Sequence, residues 1–285
     1  MPMPNYLKIV IDNTFNKTTY YDNNHSKGPI QSNAVISINK GNMEARAEHQ
    51  RTKQYQTIYT FATSIGVGLV ILILFWILYF RNGFAWQSNP SLEFNWHPFL
   101  MTLGMLFLYS QGILAYRTGR RFEKKPLKLA HAVLNFSAFV LSVIGLKAAF
   151  DSHNLSSKPI PNLYTLHSWI GLATVIIFAT QFLIGFTSFL YPGLSQSLRK
   201  AVLPVHVSFG TGCFTLAVVA VVTGLLEKAV FAIEDYSARS SEGVLVNIAG
   251  LAAALYGLLV LYLLNEPDYK RTASGDDQIV LDRSE

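Results

Sequence analysis

Residues 1 to about 54 are polar, rich in Asn, Ser, Thr and Lys, and show no sustained apolar period. Beyond them the pattern changes: long apolar runs at 57–80, 94–116, 129–150, 163–190, 201–226 and 243–265 alternate with short polar breaks. Each run is long enough to cross roughly 30 Å of hydrocarbon at about 1.5 Å per residue. A backbone in lipid must satisfy its own hydrogen bonds, so each run predicts a transmembrane helix. The pattern therefore predicts an all-α membrane protein. It has a cytoplasmic, disordered tail over 1–54, a six-helix membrane domain over 55–265 and a second cytoplasmic tail over 266–285. No basic start followed by an apolar core marks a signal peptide.

Charge decides the sidedness. Six crossings put both termini on one side. With the termini inside, the inner loops and the C-terminal tail carry eleven Lys and Arg, whereas the outer loops and their borders carry five (Arg81, Lys147, Lys158, Lys228 and Arg239). The positive-inside rule then places both termini in the cytoplasm. This placement also accounts for the net charge of +6 without any nucleic-acid partner. Composition agrees, with 51% hydrophobic and 14% charged residues. Cys213 stands alone within an apolar run, so no intramolecular disulfide forms and the residue reads as small core packing. Three glycosylation sequons lie outside the apolar runs. Asn16-Lys17-Thr18 and Asn24-His25-Ser26 fall in the N-terminal tail, and Asn154-Leu155-Ser156 falls on the outer side, too near the membrane to be a good acceptor.

Four histidines break the apolar pattern, and each lies in a different run: His97, His131, His167 and His206. Ionisable groups at membrane depth are expensive and point to function. Their gaps of 34, 36 and 39 residues equal one span plus a short loop. Because successive helices reverse direction, His97 and His167 lie near the outer face and His131 and His206 near the inner one. Two facing pairs result, some 25 Å apart along the membrane normal by helical rise. Helices 2 to 5 then form a central four-helix bundle with the ligands between facing helices, while helices 1 and 6 flank it. Neutral imidazole binds iron through one nitrogen, so a bis-histidine haem suits each pair. Gly171, Gly210 and Gly104 lie one or two turns after a histidine on the same face, where they would leave room for a flat macrocycle. Asn135, four residues after His131, is placed to touch its ring. A histidine-lined metal or proton transporter without haem is the alternative. It would want carboxylates beside the histidines, and the second to fourth runs contain no Asp or Glu.

Two stretches carry a family resemblance: Asn162-Leu163-Tyr164-Thr165-Leu166-His167-Ser168-Trp169-Ile170-Gly171 and Phe94-Asn95-Trp96-His97-Pro98. With Ile113-Leu114-Ala115-Tyr116-Arg117, they make residues 60 to 270 resemble the cytochrome b561 family of ascorbate-dependent transmembrane reductases. Phe150-Asp151-Ser152-His153-Asn154 is nearest its animal branch.

The resemblance implies two haem b groups, an outer one on His97/His167 and an inner one on His131/His206. Arg117 would meet a haem propionate, and Lys124, Lys128 and Arg199 would bind cytoplasmic ascorbate. The remaining inner cations, Arg120, Arg121 and Lys125, read as charge facing anionic lipid. On the outer side Asn162, Leu163, Tyr164 and Thr165 would lie over the outer haem, and Glu227 would contact its edge. His153 and Asn154 would border the acceptor, either monodehydroascorbate or a ferric chelate, with His153 guiding it or coordinating a metal ion. Lys147 snorkels to water or attracts an anionic acceptor. The pattern admits a homodimer, and a plasma-membrane, vesicle or lysosomal location alike.

Overall fold

The computed structural model of the protein describes residues 8–12, 17–21 and 32–270. The sequons at Asn16 and Asn24 and the tail beyond Lys270 lie outside the described residues. The chain divides into two units, Met1–Gln54 and Tyr55–Glu285.

The N-terminal unit corrects the expectation of a tail without regular structure. An antiparallel hairpin pairs Lys8–Asp12 (β1) with Lys17–Tyr21 (β2), setting Lys8 opposite Tyr21 and Asp12 opposite Lys17. Ile9, Val10, Ile11, Thr18, Thr19, Tyr20 and Tyr21 are residue types that favour a pleated strand. Helix α1 spans Ser32–Phe80, starting well before the first apolar run at residue 57. Its polar portion contains Lys40, Met43, Glu44, Ala45, Arg46, Ala47, Glu48, Gln50 and Arg51, good helix formers that carry no hydrophobic period.

Six helices long and apolar enough to span a membrane follow one another among the described residues. After α1 come α2 (Pro90–Thr118), α3 (Lys124–Asn154), α4 (Leu166–Leu190), α5 (Gln196–Ala232) and α6 (Ser241–Asn265). Helix α2 is interrupted by a turn at Phe94 and Asn95 and widens to π-helix over Thr102–Leu108; α4 ends in a π turn over Phe186–Leu190. Several helices outrun their apolar runs, because hydropathy measures the hydrocarbon whereas the backbone stays helical into the polar boundary. Lys124, Lys128 and Arg199 therefore stand in the first turns of α3 and α5 and not in loops.

Helices α2 to α5 close into a four-helix bundle, with α2 beside α3, α3 beside α4, α4 beside α5 and α5 beside α2. Between the two histidine levels, Tyr109 meets Phe178 and Phe214 edge-on at 4.6 and 5.6 Å, and its hydroxyl donates to the Gly210 carbonyl at 2.7 Å. Helices α1 and α6 flank this bundle through polar contacts at depth. The Tyr59 hydroxyl donates to Gln111 Oε1 at 2.7 Å, Gln111 Nε2 donates to the Tyr256 hydroxyl at 3.2 Å, and Tyr256 pairs with Ser110.

Two arginines fix the flanking helices. Arg81 at the outer end of α1 donates to the Ala232 carbonyl that closes α5 and pairs with Glu242 in the first turn of α6 at 2.5 Å. Arg117, in the last turn of α2, donates to the carbonyls of Leu264 and Glu266, the latter at 2.5 Å. Carbonyls at a helix C-terminus lack intrahelical donors, so each arginine supplies what its partner helix cannot.

Candidate haem sites

The four histidines meet in the expected pairs. The rings of His97 and His167 lie 6.1 Å apart between centroids, and those of His131 and His206 lie 6.2 Å apart. Two imidazole–metal bonds of about 2.0–2.1 Å in line, with half of each ring added, span such a gap. Among the described residues no group of three or more His, Cys, Asp or Glu side chains gathers around a metal position. Each pair thus offers two opposed axial nitrogens and nothing else. That donor set fits an iron whose other four positions a porphyrin fills, and it does not fit the tetrahedral N/S shell of zinc.

Backbone carbonyls orient the rings. His97 Nδ1 donates to the Gly145 carbonyl at 3.1 Å, His131 Nδ1 to that of Gly112 at 2.8 Å, and His167 Nδ1 to that of Ala220 at 2.9 Å. A carbonyl only accepts, so the proton sits on Nδ1 and the Nε2 lone pair is left for the metal. His206 Nδ1 differs, being buried without a partner. These contacts also fix the depth. The residues meeting the opposite pair lie 15 positions beyond His97 (Gly112) and 14 beyond His131 (Gly145), about 21–23 Å of helix. That is slightly less than the expected separation.

Two glycines that the spacing did not suggest shape the sites as well. A Cβ on Gly224 would stand 2.6 Å from His167 Cε1, and one on Gly185 would stand 2.8 Å from His206 Cε1. Only glycine lets these rings lie so close to the neighbouring helix. Gly104 packs against Leu141 and Ala138 and is no haem slot, which corrects that expectation. A Cβ on Gly171 or Gly210 meets no atom within 4 Å, leaving the flank of each histidine open to a flat group. Asn135 supports backbone and not the ring: its Nδ2 donates to the His131 carbonyl at 2.6 Å, and its amide packs on Gly112. Sequence reasoning missed Gly185, Gly224, Gly112 and Gly145, because their partners sit on other helices and no local spacing reports them.

At the His131/His206 end of the bundle Lys124, Lys128 and Arg199 come together. Lys124 and Arg199 both act electrostatically on Lys128, whose Nζ donates to the Phe189 carbonyl at 3.3 Å. Phe189 in turn flanks the His206 ring at 5.5 Å. Cations in the first turn of a helix oppose its dipole, so three of them at the starts of α3 and α5 produce an intense positive field. Such a field suits a small anion. Arg117 does not stand free for a propionate as expected, since it is committed to the end of α6.

The opposite end, by His97 and His167, carries a polar clasp. His153 Nδ1 pairs with Asn162 Oδ1 at 3.0 Å, and Asn162 Nδ2 donates to Asn154 Oδ1 at 2.8 Å. Thr165 caps α4 through a reciprocal bond with Ser168, which aims His167 into the bundle. Leu163 has φ +55, and its carbonyl accepts from the Trp169 indole at 2.7 Å, while Tyr164 is exposed. Phe94 lies 5.7 Å from His97 and 6.4 Å from His153, nearly parallel to the latter. Glu227 is half-buried three residues after Gly224, one turn along the face that meets His167. Lys147 is no lure for anions: it pairs with Asp151 and lies 3.8 Å from the buried Glu93.

The comparisons with known proteins bear on these pairs. The family described as eukaryotic cytochrome b561 matches residues 96–232. The chain is 42% identical over 218 residues to the lysosomal membrane ascorbate-dependent ferrireductase CYB561A3 of Bos taurus, a match covering 74% of this chain and 81% of that protein. Against its Homo sapiens counterpart the identity is 40%, covering 74% and 89%. The transmembrane ascorbate-dependent reductase CYB561 of Mus musculus is 39% identical over 219 residues, covering 76% and 86%.

Proposed function

The chain belongs to the eukaryotic cytochrome b561 family, and from that membership we propose that it is an ascorbate-dependent transmembrane oxidoreductase. It takes single electrons from cytoplasmic ascorbate and delivers them to an acceptor on the opposite side. The observation that carries this reading is the pair geometry, two histidine couples 6.1 and 6.2 Å apart at opposite ends of one bundle. His97 and His167 hold the outer haem b, and His131 and His206 hold the inner one. A haem held by two histidines would supply one-electron transfer and would leave no open iron position for oxygen.

The protein's own groups set direction and access. Lys124, Lys128 and Arg199 draw the ascorbate anion to the inner pair. Asn162 to Thr165 cover the outer pair, Glu227 borders it, and His153 with Asn154 forms the rim where the acceptor docks. The acceptor is a small anion, monodehydroascorbate or a ferric chelate, since either takes one electron at an exposed edge. Both termini face the cytoplasm, in accord with the cation bias. The absence of a third ligand beside either pair among the described residues counts against the transporter alternative.

Haem quantification with a reduced-minus-oxidised spectrum tests the proposal. Two b haems per chain are expected, and His97→Ala or His167→Ala should remove only the outer one. A colourless wild-type protein purified under haem supply would refute it.

A further inference from the structure

Lys228 lies on α5 four residues after Gly224, on the face that meets the His167 ring. Its Nζ stands 4.1 Å from the centroid of Phe94, the ring that touches both His97 and His153. A half-buried ammonium therefore sits among the outer histidines. Among the described residues no carboxylate forms an ion pair with it. The charged groups that act on it are Arg81 and Glu242. Glu242 is shared, its Oε1 pairing with Arg81 at 2.5 Å and accepting from the Trp76 indole at 2.7 Å. Glu93 and Asp151 are grouped with Lys147 on α3. Glu227, next in sequence, is turned about 100° around the helix.

Of the groups that act on Lys228, Arg81 repels it and Glu242 is shared with Arg81, so the ammonium lacks a carboxylate of its own. The Phe94 face attracts the ammonium but accepts no ordinary hydrogen bond, and it is worth about 0.5–2 kcal/mol. A partly desolvated ammonium without an acceptor is unfavourable until an anion completes it. The neighbouring basic groups cannot supply one. We propose that Lys228 is an anion seat at the outer site, receiving a carboxylate brought by a ligand. That carboxylate belongs either to the propionate of the outer haem or to an anionic acceptor docked over it. The idea rests on the diheme reading given above.

The test uses the full-length protein in vesicles, comparing wild type with Lys228→Met, which keeps the stem and removes the charge, and with Lys228→Arg. If the anion is the haem's propionate, Lys228→Met shifts the outer haem's one-electron equilibrium about tenfold toward the oxidised form, a fall of about 59 mV, and leaves the inner haem unchanged. Selective loss of the outer haem in Lys228→Met, restored in Lys228→Arg, is the extreme form of the same result. If the anion is the acceptor, KM for ferric citrate rises about tenfold while KM for the cation hexaammineruthenium(III) stays put. Lys228→Arg retains wild-type behaviour in either case. A Lys228→Met protein with two haems, an unchanged outer potential and an unchanged ratio of the two KM values overturns the proposal. That result would leave the diheme reading intact, whereas a wild type without haem would overturn the reading itself.

Discussion

A histidine's usefulness here depends on what touches its second nitrogen. Three of the four haem-ligand candidates give Nδ1–H to a carbonyl one helix away, which points Nε2 at the facing ring. The histidines were legible in the sequence because an imidazole is conspicuous among Leu, Val and Phe. Their supports were not, since Gly112, Gly145, Gly185 and Gly224 look like any membrane glycine until the helices pack. The close approaches at two of these make a sharp expectation. Gly224→Ala places a Cβ 2.6 Å from His167 Cε1, so its ring must move. The outer haem should be lost or its spectrum altered, with the inner haem unchanged; Gly185→Ala should do the converse through His206. Absorption spectra of the two variants check this, and normal spectra in both would mean that the rings are not held where the bundle holds them.

Among the elements, apolar runs predicted each membrane helix and the last residues of α1, α4 and α6, yet not the limits of α3 and α5. The runs end where lipid ends, whereas α3 and α5 continue past it and carry Lys124, Lys128 and Arg199 on their first turns. The hairpin of β1 and β2 escaped notice because each strand is five residues of mixed polarity with no alternation long enough to count. Arg117 illustrates the same limit. Family likeness assigns it to a propionate, but its guanidinium closes the C-terminal end of α6. Arg117→Ala should therefore lower stability, on the order of 1.5–3 kcal/mol for a lost hydrogen bond to a charged group, while both haem spectra persist. Thermal unfolding in detergent measures the first effect. Selective loss of the inner haem at unchanged stability would return Arg117 to the propionate.

At the scale of the whole molecule, the bundle has two chemically different ends. One end gathers Lys124, Lys128 and Arg199 around the His131/His206 pair, and the other closes over His97/His167 with the His153–Asn162–Asn154 clasp. Both the cation bias and the alternation of histidines were visible along the chain, because each depends only on counting residues between crossings. Replacing Lys124, Lys128 or Arg199 with Ala should slow reduction by ascorbate several-fold and leave dithionite reduction unchanged. Added salt should depress the ascorbate rate of the wild type, since part of the attraction is screened charge. Equal loss with both reductants would place the damage in the haem pocket.

The most direct trial of the account is electron transfer across vesicles of known orientation. Ascorbate supplied on the side bearing the termini should reduce an impermeant ferric chelate on the other side, and His131→Ala or His206→Ala should each abolish this. Reduction that persists in both variants, or that runs only when ascorbate is supplied on the opposite face, would contradict the two-step relay from the cytoplasm.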